Sequence, residues 1–125
     1  MKLLHPQELE VFYFIPAIRK EFSVQMKKKG KGQREIASLL GITEAAVSQY
    51  ISKKRAMGIK LDKPVKEEIS KSIEKIKTPM DSVRETQQVL GFLRRSRLIC
   101  KYHHKFLKFI PKDCSVCYPQ ARGAR

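Results

Sequence analysis

Acidic residues are scarce in this 125-residue chain: 12 Asp and Glu stand against 27 Lys and Arg, a formal charge of +15. Such a surplus repels itself unless a polyanion neutralises it, and DNA or RNA does so with release of counterions. Long apolar runs are missing too. No stretch approaches the ~20 residues needed to cross a bilayer. The opening Met1-Lys2-Leu3-Leu4-His5-Pro6 is too short an apolar stretch for a signal peptide, so a soluble, cytoplasmic chain with no membrane partner is expected. Cysteine is limited to three residues. An odd number without a secretory signal argues against a disulfide scaffold and for a metal or redox role. There is no internal repeat, and no strand-like alternation longer than a few residues except at Phe106 to Ile110. Nor is there a phosphate- or dinucleotide-binding loop, or an acid near in sequence to orient a Cys100 and His103 pair. Neither an enzyme nor a small-molecule substrate is expected.

Hydrophobic residues make up 42% of the chain, enough for a modest core. Their spacing is helical. Between Pro6 and about Lys29, Leu9, Val11, Phe12, Phe14, Ile15, Ile18 and Phe22 fit one broad helix face, and Pro16 predicts either a kink or a break between two helices. The basic run Lys27 to Gly32 reads as a solvated linker, and Met57 to Pro64 as another. From Val65, the residues Ile69, Ile73 and Ile76 form a thin stripe on a heavily charged helix, suited to packing on one partner surface. Thr78-Pro79-Met80-Asp81 opens a further helix with a cap, a first-turn proline and a capping-box acid. That helix should run to about Leu98, with Val83, Thr86, Leu90, Leu93 and Arg97 on one face and Arg94, Arg95 and Arg97 loading its last turn. The expected fold is all-α: a DNA-binding domain over 1–58, a helical linker and dimerisation segment over 59–98, and a small metal-binding tail over 99–125.

The most informative stretch is Gln33 to Arg55. Gln33 to Leu40 is a short amphipathic helix, Gly41 a turn, and Thr43 a cap for a second helix from Glu44 to about Lys54. A DNA-reading helix-turn-helix needs a small residue where the helices meet, a glycine for the left-handed turn and apolar residues that lock the angle. Ala37, Gly41, and Ile36, Leu40, Ile42, Val47 and Tyr50 stand at those positions. The same register turns Thr43, Glu44, Ala45, Ser48, Gln49 and Ser52 outward as candidate base readers. Gln49 is the strongest of them, because its amide can pair with adenine in a bidentate fashion. Gln33, Arg34, Lys53, Lys54 and Arg55 lie at helix ends, where phosphates pass.

The tail holds all three cysteines. Cys100-Lys101-Tyr102-His103 and Cys114-Ser115-Val116-Cys117 form a C-x2-H half and a C-x2-C half, four ligands suited to one zinc ion or one iron–sulfur cluster per chain. His103 is the expected fourth ligand because its spacing from Cys100 mirrors that of the other half, whereas His104 is expected to be exposed. A redox dithiol without metal is the alternative reading of the cysteines.

Pro6-Gln7-Glu8, Ile15-Pro16-Ala17-Ile18-Arg19, Gln33, Ile36-Ala37, Leu40-Gly41-Ile42-Thr43 and Ala45-Ala46-Val47-Ser48-Gln49-Tyr50 resemble the archaeal lambda-repressor-like transcriptional regulators, whose DNA-binding part also occurs fused to thiamine-phosphate synthase domains. The tail from Leu98 through Cys100, His103, Cys114 and Cys117 is similar to that of stand-alone members. The resemblance implies a sequence-specific regulator of double-stranded DNA. The synthase domain is absent, so thiamine sensing is not implied. A homodimer is expected, since one recognition helix reads few bases, with a metal or iron–sulfur tail that either senses redox state or metal, or acts as a staple. The rival expectation is an RNA- or ribosome-associated basic protein with a structural zinc site.

Overall fold

Pro16 does not break the first helix. In the computed structural model, which describes residues 5–52, 55–56 and 58–117, α1 (Pro6–Leu9) passes through a π-helical stretch (Glu10–Phe14) into α2 (Ile15–Lys28) without interruption. The Ile15 amide bonds to the Glu10 carbonyl, one residue further back than in an α-helix. The extra residue is thus taken up just before the ring that lacks an amide donor.

That wider turn also rotates the apolar face. Leu9, Phe14, Ile18 and Phe22 are fully buried, whereas Val11 and Phe12, expected beside them, are 58% and 53% exposed. Glu10 points inward instead. Its carboxylate accepts two hydrogen bonds from the Arg94 guanidinium, at 2.7 Å from Nε and 3.0 Å from Nη2, and this pairing offsets the cost of burying a charge.

The remaining regular elements among the described residues are also helices: α3 (Gln33–Leu40), α4 (Glu44–Ile51), α5 (Lys63–Ile73), α6 (Pro79–Arg95) and α7 (Leu98–Phe106). The second helix is the axis of the fold, since α3, α4, α5 and α6 all pack against it; α6 also meets α3, α5 and α7, and α7 closes back on α1. Their apolar faces form one core from Leu9 to Ile99, in which Met26, Ile36, Val47, Ile69 and Leu93 are fully buried. Among the described residues, no helix is long and apolar enough to cross a membrane.

Several expectations change in detail. The stripe Val65, Ile69, Ile73 and Ile76 is buried, but within its own chain, where α5 lies on α2 and α6. Asp62 caps α5 by accepting from the Val65 amide at 3.3 Å, so the helix starts two residues before Val65. The basic run after α2 is only partly solvated: Lys27 and Lys28 finish the helix, Lys29 pairs with Glu74, and Lys31 with Glu35 at 3.4 Å. The Lys29 ammonium holds the exposed Glu74 carboxyl below the usual glutamate range.

On α6, Thr78 and Asp81 exchange the capping-box bonds the sequence predicts. The inward face is Ser82, Glu85, Val89, Leu90 and Leu93, while Val83 is exposed and Thr86 half-buried. Glu85 is held there by Arg84, whose Nε donates at 3.0 Å. The helix stops at Arg95 rather than Leu98, because Arg97 adopts the left-handed conformation at φ 64° and redirects the chain into α7.

Arg94→Ala leaves the Glu10 carboxylate buried without its principal partner. We expect urea unfolding to show a loss of about 1–3 kcal/mol; a loss within about 0.5 kcal/mol, typical of a neutral surface change, would remove the pair from the account of the fold.

Candidate functional site

Two eight-residue helices, α3 and α4, meet across Gly41, Ile42 and Thr43. Helices this short are marginal in water, so each depends on what it buries. Ile36, Ala37, Leu39 and Leu40 of α3 are buried, as are Ala46, Val47 and Tyr50 of α4, and Ile42 packs half-buried against the core. Gly41 sits at φ 67°, ψ 35°, a region that side chains with a Cβ avoid. The Gly41 and Ile42 amides both close on the Ala37 carbonyl, satisfying the end of α3. Thr43 then starts α4 by accepting from the Ala46 amide at 3.0 Å. Gln33 Nε2 donates to the Glu44 carbonyl at 2.9 Å, so the first residues of the two helices are tied directly.

The opposite side of α4 carries no packing duty. Thr43, Glu44, Ala45, Ser48, Gln49 and Ser52 are all exposed, as is Arg34 at the start of α3, while Gln33 is half-buried. The helix ends at Ile51, earlier than expected, and the Ser52 hydroxyl bonds back to the Gln49 carbonyl at 3.2 Å. Arg55 is exposed with its guanidinium 5.6 Å from the Tyr50 ring, a cation–π contact that keeps the charge beside the end of α4. Lys53 and Lys54 lie outside the described residues.

A second group of reactive side chains gathers around α7, which carries Cys100, His103 and His104. This helix belongs to the core: Leu98 and Ile99 are buried, Tyr102 meets Phe14 edge-on at 5.8 Å, and Phe106 lies 5.0 Å from Tyr13. The Tyr102 hydroxyl also accepts from the Lys60 amide at 2.9 Å, fixing the segment between α4 and α5. Sequence reading missed these roles, although Leu98, Ile99, Tyr102 and Phe106 recur at helical spacing. Phe106 to Ile110 is not a strand: Phe106 ends α7, and the Ile110 amide turns back to the Leu107 carbonyl at 3.1 Å.

That turn brings Cys114 and Cys117 back toward α7. Cys100, His103, Cys114 and Cys117, the expected ligands, all line one open cavity of about 780 Å³, together with His104. Among the described residues, however, no three Cys, His, Asp or Glu side chains are grouped so as to hold one metal ion, and the sequence places none of these residue types outside the description. Partial desolvation, and after it the nearness of Cys100 and Cys114, push the Cys117 thiol above its usual range. His104, expected outside, is half-buried like His103, and its Nδ1 is hydrogen-bonded to the Ile110 carbonyl.

A Cβ at Gly41 would meet open space, so only the backbone conformation opposes substitution there. Gly41→Ala should cost about 1–2 kcal/mol in urea unfolding, and Gly41→Asn less, since Asn tolerates the left-handed region. Equal stability of the Ala variant and the parent would contradict a turn locked by this residue.

Comparison with protein-family models, curated proteins and solved structures gives no match for this chain.

Proposed function

We propose that the protein is a sequence-specific, double-stranded-DNA-binding transcriptional regulator that reads the major groove with α4. The observation that carries this reading is the division of α4 into a side fully committed to α2 and α3 and a side on which every candidate reader is exposed. A recognition helix must project its outer side chains into the groove while a preceding helix crosses the backbone and holds its angle. The left-handed turn at Gly41 and the bond from Gln33 to the Glu44 carbonyl supply that rigidity.

Chemistry then assigns the roles. The Gln49 amide donates to and accepts from the adenine edge, Glu44 accepts from cytosine, and the Ala45 and Thr43 methyls pack on the thymine methyl. Gln33, Arg34 and Arg55, with Lys53 and Lys54, take phosphates, which fixes register without specifying sequence. The charge of +15 supplies the salt-dependent part of the affinity. The resemblance to archaeal lambda-repressor-like regulators is part of this proposal and rests on the same residues.

One α4 contacts few base pairs, so two copies are needed on half-sites about 10–10.5 bp apart. With the α5 stripe spent inside the chain, the large apolar side chains left exposed on the 59–98 segment are Met80 and Val83. The dimer contact proposed for that segment therefore falls on the first turns of α6.

Fluorescence anisotropy with duplex variants tests the assignment. Gln49→Ala should lose about 1–3 kcal/mol of discrimination at one base position, whereas Arg34→Ala should weaken all duplexes alike and reduce the slope of log K against log salt by about 1. Equal loss across all sequences for Gln49→Ala would remove it as a reader. Tighter binding of structured RNA than of duplex DNA at matched salt would replace this reading with the RNA-binding one.

A further inference from the structure

From Arg97 to Lys112 the chain carries five cations, Arg97, Lys101, Lys105, Lys108 and Lys112, at steps of four, four, three and four, and no Asp or Glu. All five line the open cavity of about 780 Å³ beside α7. Among the described residues no carboxylate lines it, and residues 118–125 contain no Asp or Glu to supply one. Lys105 lies over the Tyr102 ring at 5.5 Å, but Lys101, Lys108 and Lys112 make no ion pair among the described residues. Like charges four residues apart oppose a helix, so this wall gains from an anion placed against it.

The same space has an apolar side. Leu107 is buried, but from Lys108 to Cys117 no residue is, and Phe109 and Val116, 68% and 70% exposed, line the cavity instead of a core. The bond between His104 Nδ1 and the Ile110 carbonyl ties this segment to α7, so the cationic helix and the apolar segment border one space. Its volume lies in the range of small-molecule sites, roughly 300–1,000 Å³. The phosphate backbone of a duplex has the charge for such a wall but no apolar body to cover Phe109 and Val116. We propose that this cavity binds a small phosphate-bearing ligand with an aromatic or aliphatic body, its phosphate held by Lys101 and Lys105 and its body packed on Phe109 and Val116.

Phosphate fits better than carboxylate on charge. A phosphate monoester carries about −1.5 to −2 at pH 7, against −1 for a carboxylate, and it offers three acceptor oxygens to the several ammonium groups on the wall. Lys101 and Lys105 stand one turn apart on α7 and can share those oxygens. The C-terminal end of α7 brings roughly half a negative charge, which opposes an anion there. Lys105 and Lys108 stand at that end with full charges and outweigh it. The aromatic face of Phe109 suits a ring, and the ligand is held rather than turned over. The inference does not depend on DNA binding.

The test is equilibrium dialysis of the 125-residue chain against 1-naphthyl phosphate, with 1-naphthol and inorganic phosphate as its two separate parts. 1-Naphthyl phosphate should saturate a single site and bind about tenfold or more tightly than either part alone, because the apolar and the charged contact act together. Lys101→Gln and Lys105→Gln should each weaken it by about tenfold. Lys66→Gln, exposed on α5 and outside the cavity, should leave it unchanged. Phe109→Ala should weaken 1-naphthyl phosphate without weakening inorganic phosphate. The substituted side chains are all exposed, and circular dichroism checks that the helices remain. Absence of saturable binding, 1-naphthol bound as tightly as its phosphate, or equal binding by Lys101→Gln and Lys66→Gln would overturn the proposal. Loss of duplex or RNA affinity in Lys101→Gln with 1-naphthyl phosphate unaffected would assign the cations to a nucleic-acid backbone instead.

Discussion

A helix of eight residues forms too few hydrogen bonds to offset the cost of starting it, so α4 exists because Ala46, Val47 and Tyr50 are buried against α2 and α3. This constraint settles the geometry of the whole N-terminal half. Once those positions face inward, helical periodicity leaves Glu44, Ala45, Ser48 and Gln49 facing out. The orientation is reinforced at three points along the chain: the Gly41 turn, the Thr43 cap and the Gln33 bond across to Glu44. The long second helix provides the seat, with Phe22 and Met26 fully buried in the shared core. A surface built in this way is rigid without being apolar, which is what reading base edges requires.

The far end of the molecule is joined to this half by two different kinds of contact. Glu10 and Arg94 connect the first helix to α6 through a doubly hydrogen-bonded pair whose carboxylate is buried and whose guanidinium reaches the surface. Tyr13, Phe14, Tyr102 and Phe106 connect it to α7 through ring contacts. Tyr13 also borders a small cavity with Tyr50, Arg55 and Gly58, at the end of α4. The cysteine-bearing helix and the C-terminal end of α4 thus share Tyr13 as a neighbour. For an occupant of the cysteine cavity to alter DNA affinity, α7 must have two arrangements that bind DNA differently.

Local signals were the legible ones. Caps, the turn glycine and the inward positions of α3 and α4 depend on residues three and four apart, so they could be read without knowing the fold. The α5 stripe was equally legible, but its partner was not: a stripe does not say whether its own chain or another covers it. The π-helical turn before Pro16 has no sequence signature that separates it from a kink, and it reversed the places of Val11, Phe12 and Glu10. Arg97 in a left-handed conformation ends a helix without glycine or proline to announce it. At the tail, the C-x2-H and C-x2-C spacing led to the expectation of one shared metal; the four residues line one cavity, but among the described residues no three are grouped to hold a metal ion.

The central claim is that α4 reads duplex DNA. Selection of the purified 125-residue chain against a random double-stranded library, with structured RNA present as competitor at the same salt concentration, tests it most directly. The account predicts enrichment of a short inverted repeat whose half-sites lie about 10–10.5 bp apart, one turn of the double helix. A recovered pool with no common motif, or protein partitioned onto the RNA, would contradict it.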